Sequence, residues 1–141
     1  MDERIYLLAV ITLALVFFVL RSRKNESLIN AKKDQLKSLY KRETVFLCDG
    51  AEDLGDNFIQ FYGEPFGISV RPGMKILDPS GAEAEYVLKE VYANDKTPNK
   101  PDSEIPNGMT NTTIVIKADN FNLENFLQNI KRDKVIALKL K

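Results

Sequence analysis

The sequence predicts a single N-terminal transmembrane helix followed by a small, mainly β barrel that carries one short helix. Residues 5–20 contain no charged side chain, and beyond residue 43 the apolar residues occur in short runs separated by turn residues, a pattern typical of strands. Charge divides the chain further, because residues 21–42 hold eight Lys or Arg and two acids. We therefore predict an anchor (1–24), a basic juxtamembrane helix (25–42) and a globular domain (43–141).

The predicted anchor is apolar on all sides. Its sixteen uncharged residues span about 24 Å as a helix, and the side chains of Arg4 and Arg21 can snorkel to match a hydrocarbon core of about 30 Å. A buried core helix would need a polar face or a larger surrounding domain. A cleaved signal peptide would have a basic start and a small-residue cleavage site, whereas this chain begins Met-Asp-Glu-Arg and follows Leu20 with cations. The pattern favours a retained span.

Positive side chains predict the orientation of that span. Arg4 is the one basic residue before it, whereas eight follow closely. The positive-inside rule then places the N-terminus outside and the C-terminal domain in the cytoplasm. Under this topology the sequons at Asn25 and Asn111 are chance matches. The cations are candidate contacts with anionic headgroups of the lipid bilayer: Arg21, Arg23, Lys24, Lys32, Lys33, Lys37, Lys41 and Arg42.

The juxtamembrane segment is predicted to be helical because residues 25–42 contain neither Pro nor Gly. It is either a solvated continuation of the membrane helix or an interfacial helix that lies on anionic lipids. Nucleic acid is not an expected partner, since the basic stretch lacks interleaved aromatic residues and is tethered beside a bilayer. An imperfect apolar stripe runs along it: Leu28, Ile29, Leu36, Leu39 and Tyr40.

The globular domain is predicted to contain seven strands and one helix. The helix covers residues 123–131, with Asn122 as its N-cap and its apolar face against one end or side of the sheet. Its apolar face is formed by Leu123, Phe126, Leu127 and Ile130. The predicted strands are 44–48, 58–62, 66–70, 75–77, 86–92, 113–117 and 135–140. The predicted turns are 63–65, 71–73 and 78–81.

Part of this domain resembles a known family of barrels. The run Phe66-Gly67-Ile68-Ser69-Val70-Arg71-Pro72-Gly73-Met74-Lys75-Ile76-Leu77 is followed by apolar strands at 86–91 and 113–116. This succession over residues 66–117 resembles the second-domain β-barrel of translation elongation factors. The resemblance implies a small barrel and transfers no activity, because the chain has no GTPase domain and carries an insertion at 94–111.

Candidate chemistry is sparse in this sequence. The acid-rich segment 49–56 has Leu54 where a calcium-binding loop requires glycine, so we predict a solvated turn. Cys48 has no histidine in the chain to activate it, which favours a buried strand cysteine over a nucleophile. The glycines never take the spacing of a phosphate-binding loop. The sequence therefore predicts no enzymatic activity, no metal and no cofactor.

The expected function is a membrane-anchored, non-catalytic binding or scaffold module, a small subunit or regulator of a membrane complex with a protein partner. The alternative is an anionic-lipid-sensing accessory protein that uses the basic juxtamembrane helix. The loop 94–111 is either a tolerated insertion or a docking loop. Its candidate partner contacts are Lys96, Lys100, Asp102 and Glu104.

Overall fold

The computed structural model describes residues 2–80, 83–93 and 101–141. Over these residues a long helix precedes a six-stranded antiparallel sheet, which curls into a nearly closed barrel with a short second helix. The elements are α1 Glu3–Leu39, β1 Val45–Gly55, β2 Phe58–Phe66, β3 Lys75–Leu77, β4 Glu85–Ala93, β5 Thr112–Lys117, α2 Leu123–Asp133 and β6 Ile136–Lys139.

The strand order β3-β4-β5-β2-β1-β6 brings the two ends of the sheet together. Lys75 and Lys141 exchange backbone hydrogen bonds of 3.1 and 2.8 Å, and Ile76 pairs with Leu140 between them. Closure removes most exposed strand edges and encloses an apolar interior. The largest side chains wholly within it include Phe46, Phe61, Ile76, Leu88, Ile105, Ile114, Ile116 and Leu138.

Helix α2 covers the barrel interior as predicted. The Asn122 side chain accepts a hydrogen bond from the Asn125 N–H at 3.1 Å and so caps the helix. Phe126 is buried, and its ring meets that of Phe61 edge-on with centroids 5.4 Å apart. Leu123 and Ile130 pack partly buried beside it.

Leu127, placed on the same buried face from its spacing, is instead 39% exposed, and that part of the prediction is wrong. It follows Phe126 by one residue, which turns it about 100° around the helix axis. The buried face of α2 is centred on Phe126 and is too narrow to include Leu127 as well.

Most strands lie within a few residues of their predicted bounds, but the predicted turn 63–65 is wrong because β2 runs through it. Gly63 is paired with Cys48 on one side and Thr112 on the other. A Cβ there would lie 1.9 Å from the Leu47 carbonyl oxygen, so the glycine serves close strand contact rather than a turn. Pro65 lies beyond the last β2–β5 pair, where its missing N–H is not needed by β5.

The acid-rich segment also differs from its prediction as a turn. Strand β1 continues to Gly55 and pairs with β2 along this length, and the turn is confined to Asp56 and Asn57, with left-handed φ of 53° and 66°. Glu52 and Asp53 remain exposed on the strand. These carboxylates therefore lie on a paired strand rather than in a turn.

The predicted strand 66–70 is wrong for most of its length, since β2 ends at Phe66 and Gly67 takes a left-handed φ of 86°. Beyond Phe66 only Val70 of this segment pairs, and its partner is Ile105 from the long insertion, with mutual hydrogen bonds of 2.9 and 2.8 Å. Ile105 is fully buried. The described second half of the insertion is thus fastened to the barrel.

Candidate membrane-proximal site

Helix α1 is continuous over 37 residues, from the apolar run through the basic segment. Nothing in its sequence interrupts it, because no Pro or Gly occurs within it. The side chains of residues 5–20 are exposed all round, and Phe17 and Phe18 are 67% and 70% exposed. This excludes a buried core helix. Among the described residues α1 is the one helix long and apolar enough to cross a membrane, a property that N-terminal signal sequences share.

The second half of α1 packs against the outside of the barrel. Ile29, Leu36 and Tyr40 lie on one helical face and form an apolar cluster with Val45, Leu47 and Val135. Strand β1 is therefore buried on both faces in its first half. We call this contact the helix–barrel interface.

Of the five residues in the juxtamembrane apolar stripe, Ile29, Leu36 and Tyr40 pack against the barrel, whereas Leu28 and Leu39 are exposed. Sequence reasoning did not foresee the interface itself. The sequence feature that could have predicted it is the run Val45-Phe46-Leu47-Cys48. This run is apolar at successive positions and so places apolar side chains on both faces of a strand.

Two lysines of α1 form ion pairs across this interface. Lys33 Nζ lies 2.9 Å from Asp49 Oδ2, and Lys37 Nζ lies 3.2 Å from Glu64 Oε1. Glu64 is only 3% exposed, and the nearby Lys37 cation offsets part of the cost of burying its carboxylate. The structure thus directs two of the eight cations proposed for lipid contact to carboxylates of the barrel. Lipid contact by all eight cations stays a prediction.

The end of α2 lies close to the membrane end of α1. Lys134, the C-cap of α2, has a left-handed φ of 70° and donates its N–H to the Ile130 carbonyl oxygen at 2.7 Å. Its side chain lines a groove of about 810 Å³ whose remaining lining comes from α1 between Phe17 and Leu28. Within this groove Arg21 and Lys24 follow directly after the apolar run. Lys134 therefore lies beside the part of α1 where the apolar run ends.

Cys48 lies on the inner side of β1 and is fully buried, which confirms its prediction as a buried strand cysteine. Its Sγ donates a hydrogen bond to the Gly50 carbonyl oxygen at 3.1 Å. Burial raises the pKa of the thiol to about 12, so it is neutral at physiological pH. Within residues 2–80, 83–93 and 101–141, no group of three or more His, Cys, Asp or Glu side chains is arranged to hold a metal ion.

The candidate docking loop is only partly described. Lys96 and Lys100 lie outside the described residues. Asp102 donates its N–H to the Val91 carbonyl oxygen at 2.8 Å, and its Oδ2 accepts the Ala93 N–H at 2.7 Å, so it fastens the insertion to β4. Glu104 is exposed. A docking role for these residues stays a prediction.

A compact hydrogen-bond network surrounds Asp78 in the predicted turn after β3. Its Oδ1 accepts bonds from the Ser80 N–H and hydroxyl at 2.8 and 2.6 Å, and its Oδ2 accepts one from the Tyr86 hydroxyl at 2.7 Å. Partial burial opposes ionisation, but these bonds outweigh it and lower the pKa of Asp78. Burial, together with Asp78, raises the pKa of Tyr86 to about 12.

The chain matches no protein-family model, and comparisons with curated proteins and with solved structures find no similar protein.

Proposed function

We propose that this protein is a membrane-anchored, non-catalytic binding or scaffold module that acts as a small subunit or regulator of a membrane complex. In this proposal α1 crosses the membrane once, with its N-terminus outside and the barrel in the cytoplasm. The observation that carries the proposal is the helix–barrel interface, which joins the barrel directly to the continuation of the membrane helix.

The interface sets the height of the barrel above the bilayer. Ile29, the first interface residue, lies nine positions along the helix after Leu20, the end of the apolar run, a rise of about 14 Å. The barrel is then held close to the headgroup layer rather than on a flexible linker. A fixed orientation lowers the entropy lost when the barrel binds a neighbouring membrane protein, which is the advantage of preorganisation.

The side-chain chemistry supports a binding role over a catalytic one. The chain has no histidine, and its one thiol, that of Cys48, is buried and neutral. The carboxylates that the structure buries or partly buries near α1, Glu64 and Asp49, are matched by lysines. Their pairing stabilises the interface instead of poising a group for proton transfer.

The topology is tested by replacing Ser103, an exposed residue, with cysteine in the full-length protein. A membrane-impermeant maleimide should label this site only after cells are permeabilised, because the barrel is cytoplasmic in the proposal. The unsubstituted protein is the matched control, since its buried Cys48 should remain unlabelled in both conditions. Labelling of S103C in intact cells would reverse the orientation.

The binding role is tested by affinity purification of the full-length protein from detergent-solubilised membranes. We expect a partner that is retained by the Leu39→Ser control, whose site is exposed, and lost or weakened in Leu36→Ser, which disrupts the helix–barrel interface. A partner held equally well by residues 1–24 fused to an unrelated soluble domain would show that the anchor, not the barrel, is the binding element.

A further inference from the structure

The groove between the end of α2 and the membrane end of α1 has two different kinds of lining. Its apolar part comes from Phe17, Phe18 and neighbouring leucines, and its cationic part comes from Arg21, Lys24 and Lys134. Ser22 and Asn25 add uncharged hydrogen-bonding groups. A site with a long apolar side and a cationic rim matches the two parts of an anionic phospholipid.

The cations of this groove are available to a ligand. No carboxylate in the described part of the chain lies within ion-pair distance of Arg21, Lys24 or Lys134. Asp133, the acid next to Lys134, is bound by Arg132 at 3.0 Å instead. Hydrogen bonds from Arg132 are the main cause of the lowered pKa of Asp133, and the positive charge of Lys32 on α1 lowers this pKa further. Asp133 is thus already paired, and the last turn of α2 lies beside α1.

The position of the groove fits a lipid rather than a soluble anion. Phe17, Arg21 and Lys24 follow one helical face at i, i+4 and i+7, so this face changes from apolar to cationic where the apolar run ends. A phospholipid beside α1 has its phosphate at this depth and its acyl chains below it. A soluble phosphate would gain nothing from the exposed phenylalanines.

We propose that this groove is a binding site for one anionic phospholipid, with the phosphate held by Arg21, Lys24 and Lys134 and an acyl chain against Phe17 and Phe18. Lys134 completes the site from the barrel, so the bound lipid bridges the anchor and the globular domain. This inference rests on the proposed membrane insertion of α1 and adds a ligand and a second structural element to it.

The test measures lipid binding by native mass spectrometry of the full-length protein in detergent, titrated with phosphatidylglycerol or with phosphatidylcholine. Lys134→Asn removes the charge, and asparagine tolerates the left-handed backbone at this position. We expect it to weaken phosphatidylglycerol binding by about five-fold, the effect of about 1 kcal/mol for one cation near a lipid surface. Lys134→Arg should retain binding. Lys89→Asn, at an exposed site on β4, is the charge-matched control and should bind as the unsubstituted protein does.

Three outcomes would overturn the inference. Equal binding of phosphatidylglycerol and phosphatidylcholine would show that the cations do not select the headgroup. Equal weakening by K134N and K89N would show a general charge effect. Competition by inorganic phosphate at the concentration of the lipid would show that the apolar lining contributes nothing.

Alkaline carbonate extraction of native membranes separates this inference from the proposed anchor. If the unsubstituted protein stays in the membrane while lipid selectivity is lacking, only the lipid site is wrong. If the protein is extracted, α1 is not a membrane span, and the proposed function and the lipid site both fail.

Discussion

The two halves of α1 form one continuous helix, but their apolar side chains differ in whether they are exposed or packed against the barrel. In residues 5–20 the whole circumference is apolar and exposed. In the second half the face of Ile29, Leu36 and Tyr40 packs against the barrel, and most other positions around the axis are polar or charged. The helical conformation is the same in both, so the distribution of apolar residues around the axis, not helix formation, distinguishes the predicted span from the docked segment.

The substitution with the largest expected effect tests whether membrane insertion of the first half of α1 depends on the folded barrel. Phe126→Ala removes a buried ring from the barrel interior and should lower the free energy of unfolding by about 3 to 5 kcal/mol, a large share of the stability of a small domain. Thermal denaturation of the full-length protein in detergent would measure it. Leu127→Ala, at an exposed site, should cost far less. The variant should still resist carbonate extraction; its release from membranes would mean that insertion depends on the folded barrel.

The ion pairs of the second half should have the next largest effect. Lys37→Met leaves the buried Glu64 carboxylate without the cation at 3.2 Å, which should cost about 1 to 3 kcal/mol. Chemical denaturation of the full-length protein would measure the loss. Adding Glu64→Gln should restore part of it, whereas Lys41→Met, at an exposed site, should be nearly neutral. Equal effects of the two lysine substitutions would show that Lys37 is merely a surface charge.

Apolar packing at the same interface is tested by Leu36→Ala. Leu36 is half-buried, so the expected loss of about 1 to 2 kcal/mol lies below that of a fully buried leucine. Leu39→Ala is the matched control, because Leu39 is 72% exposed and lies three residues further along the same helix. If both variants melt at the same temperature, the second half of α1 behaves as a solvated stalk, and the contrast between the two halves disappears.

The smallest expected effect lies outside both halves of α1, at Asp78. Its pKa is lowered in the folded protein, so its contribution to stability is present above the unfolded pKa of about 4 and is lost as pH falls through the folded value. Asp78→Asn should therefore be less stable than the unsubstituted protein at pH 7, and the difference should shrink below pH 4. Denaturation at a series of pH values measures this. A difference that does not change with pH would mean that the carboxylate charge is not the stabilising feature.

The sequence was sufficient where the signal was local. The uncharged run at residues 5–20, the strand 75–77 and the core position of Phe126 each follow from composition or periodicity within a short segment. Ile105 could not be found this way, because it is an isolated apolar residue among prolines and acids, and its burial depends on pairing with Val70.

The same limit applies to the candidate site. The sequence alone does not distinguish the eight cations that follow the apolar run. Lys33 and Lys37 differ from Arg21 and Lys24 because the fold brings carboxylates of distant strands beside them. Gly63 shows the converse error. Two residues before Pro65 it resembles part of a turn, yet it lies inside β2, where a Cβ would collide with the backbone of β1.

The pairing of the first strand with the last has a consequence for the order of events during synthesis. Strand β1 cannot complete its sheet contacts until β6 has been made, and ribosomes add about 5 to 20 residues per second. By then α1 has been outside the ribosome for several seconds, long enough for its apolar run to meet a membrane. In the proposed topology the helix is therefore in the membrane before β6 is made, and the barrel closes last, beside a helix that is already in place.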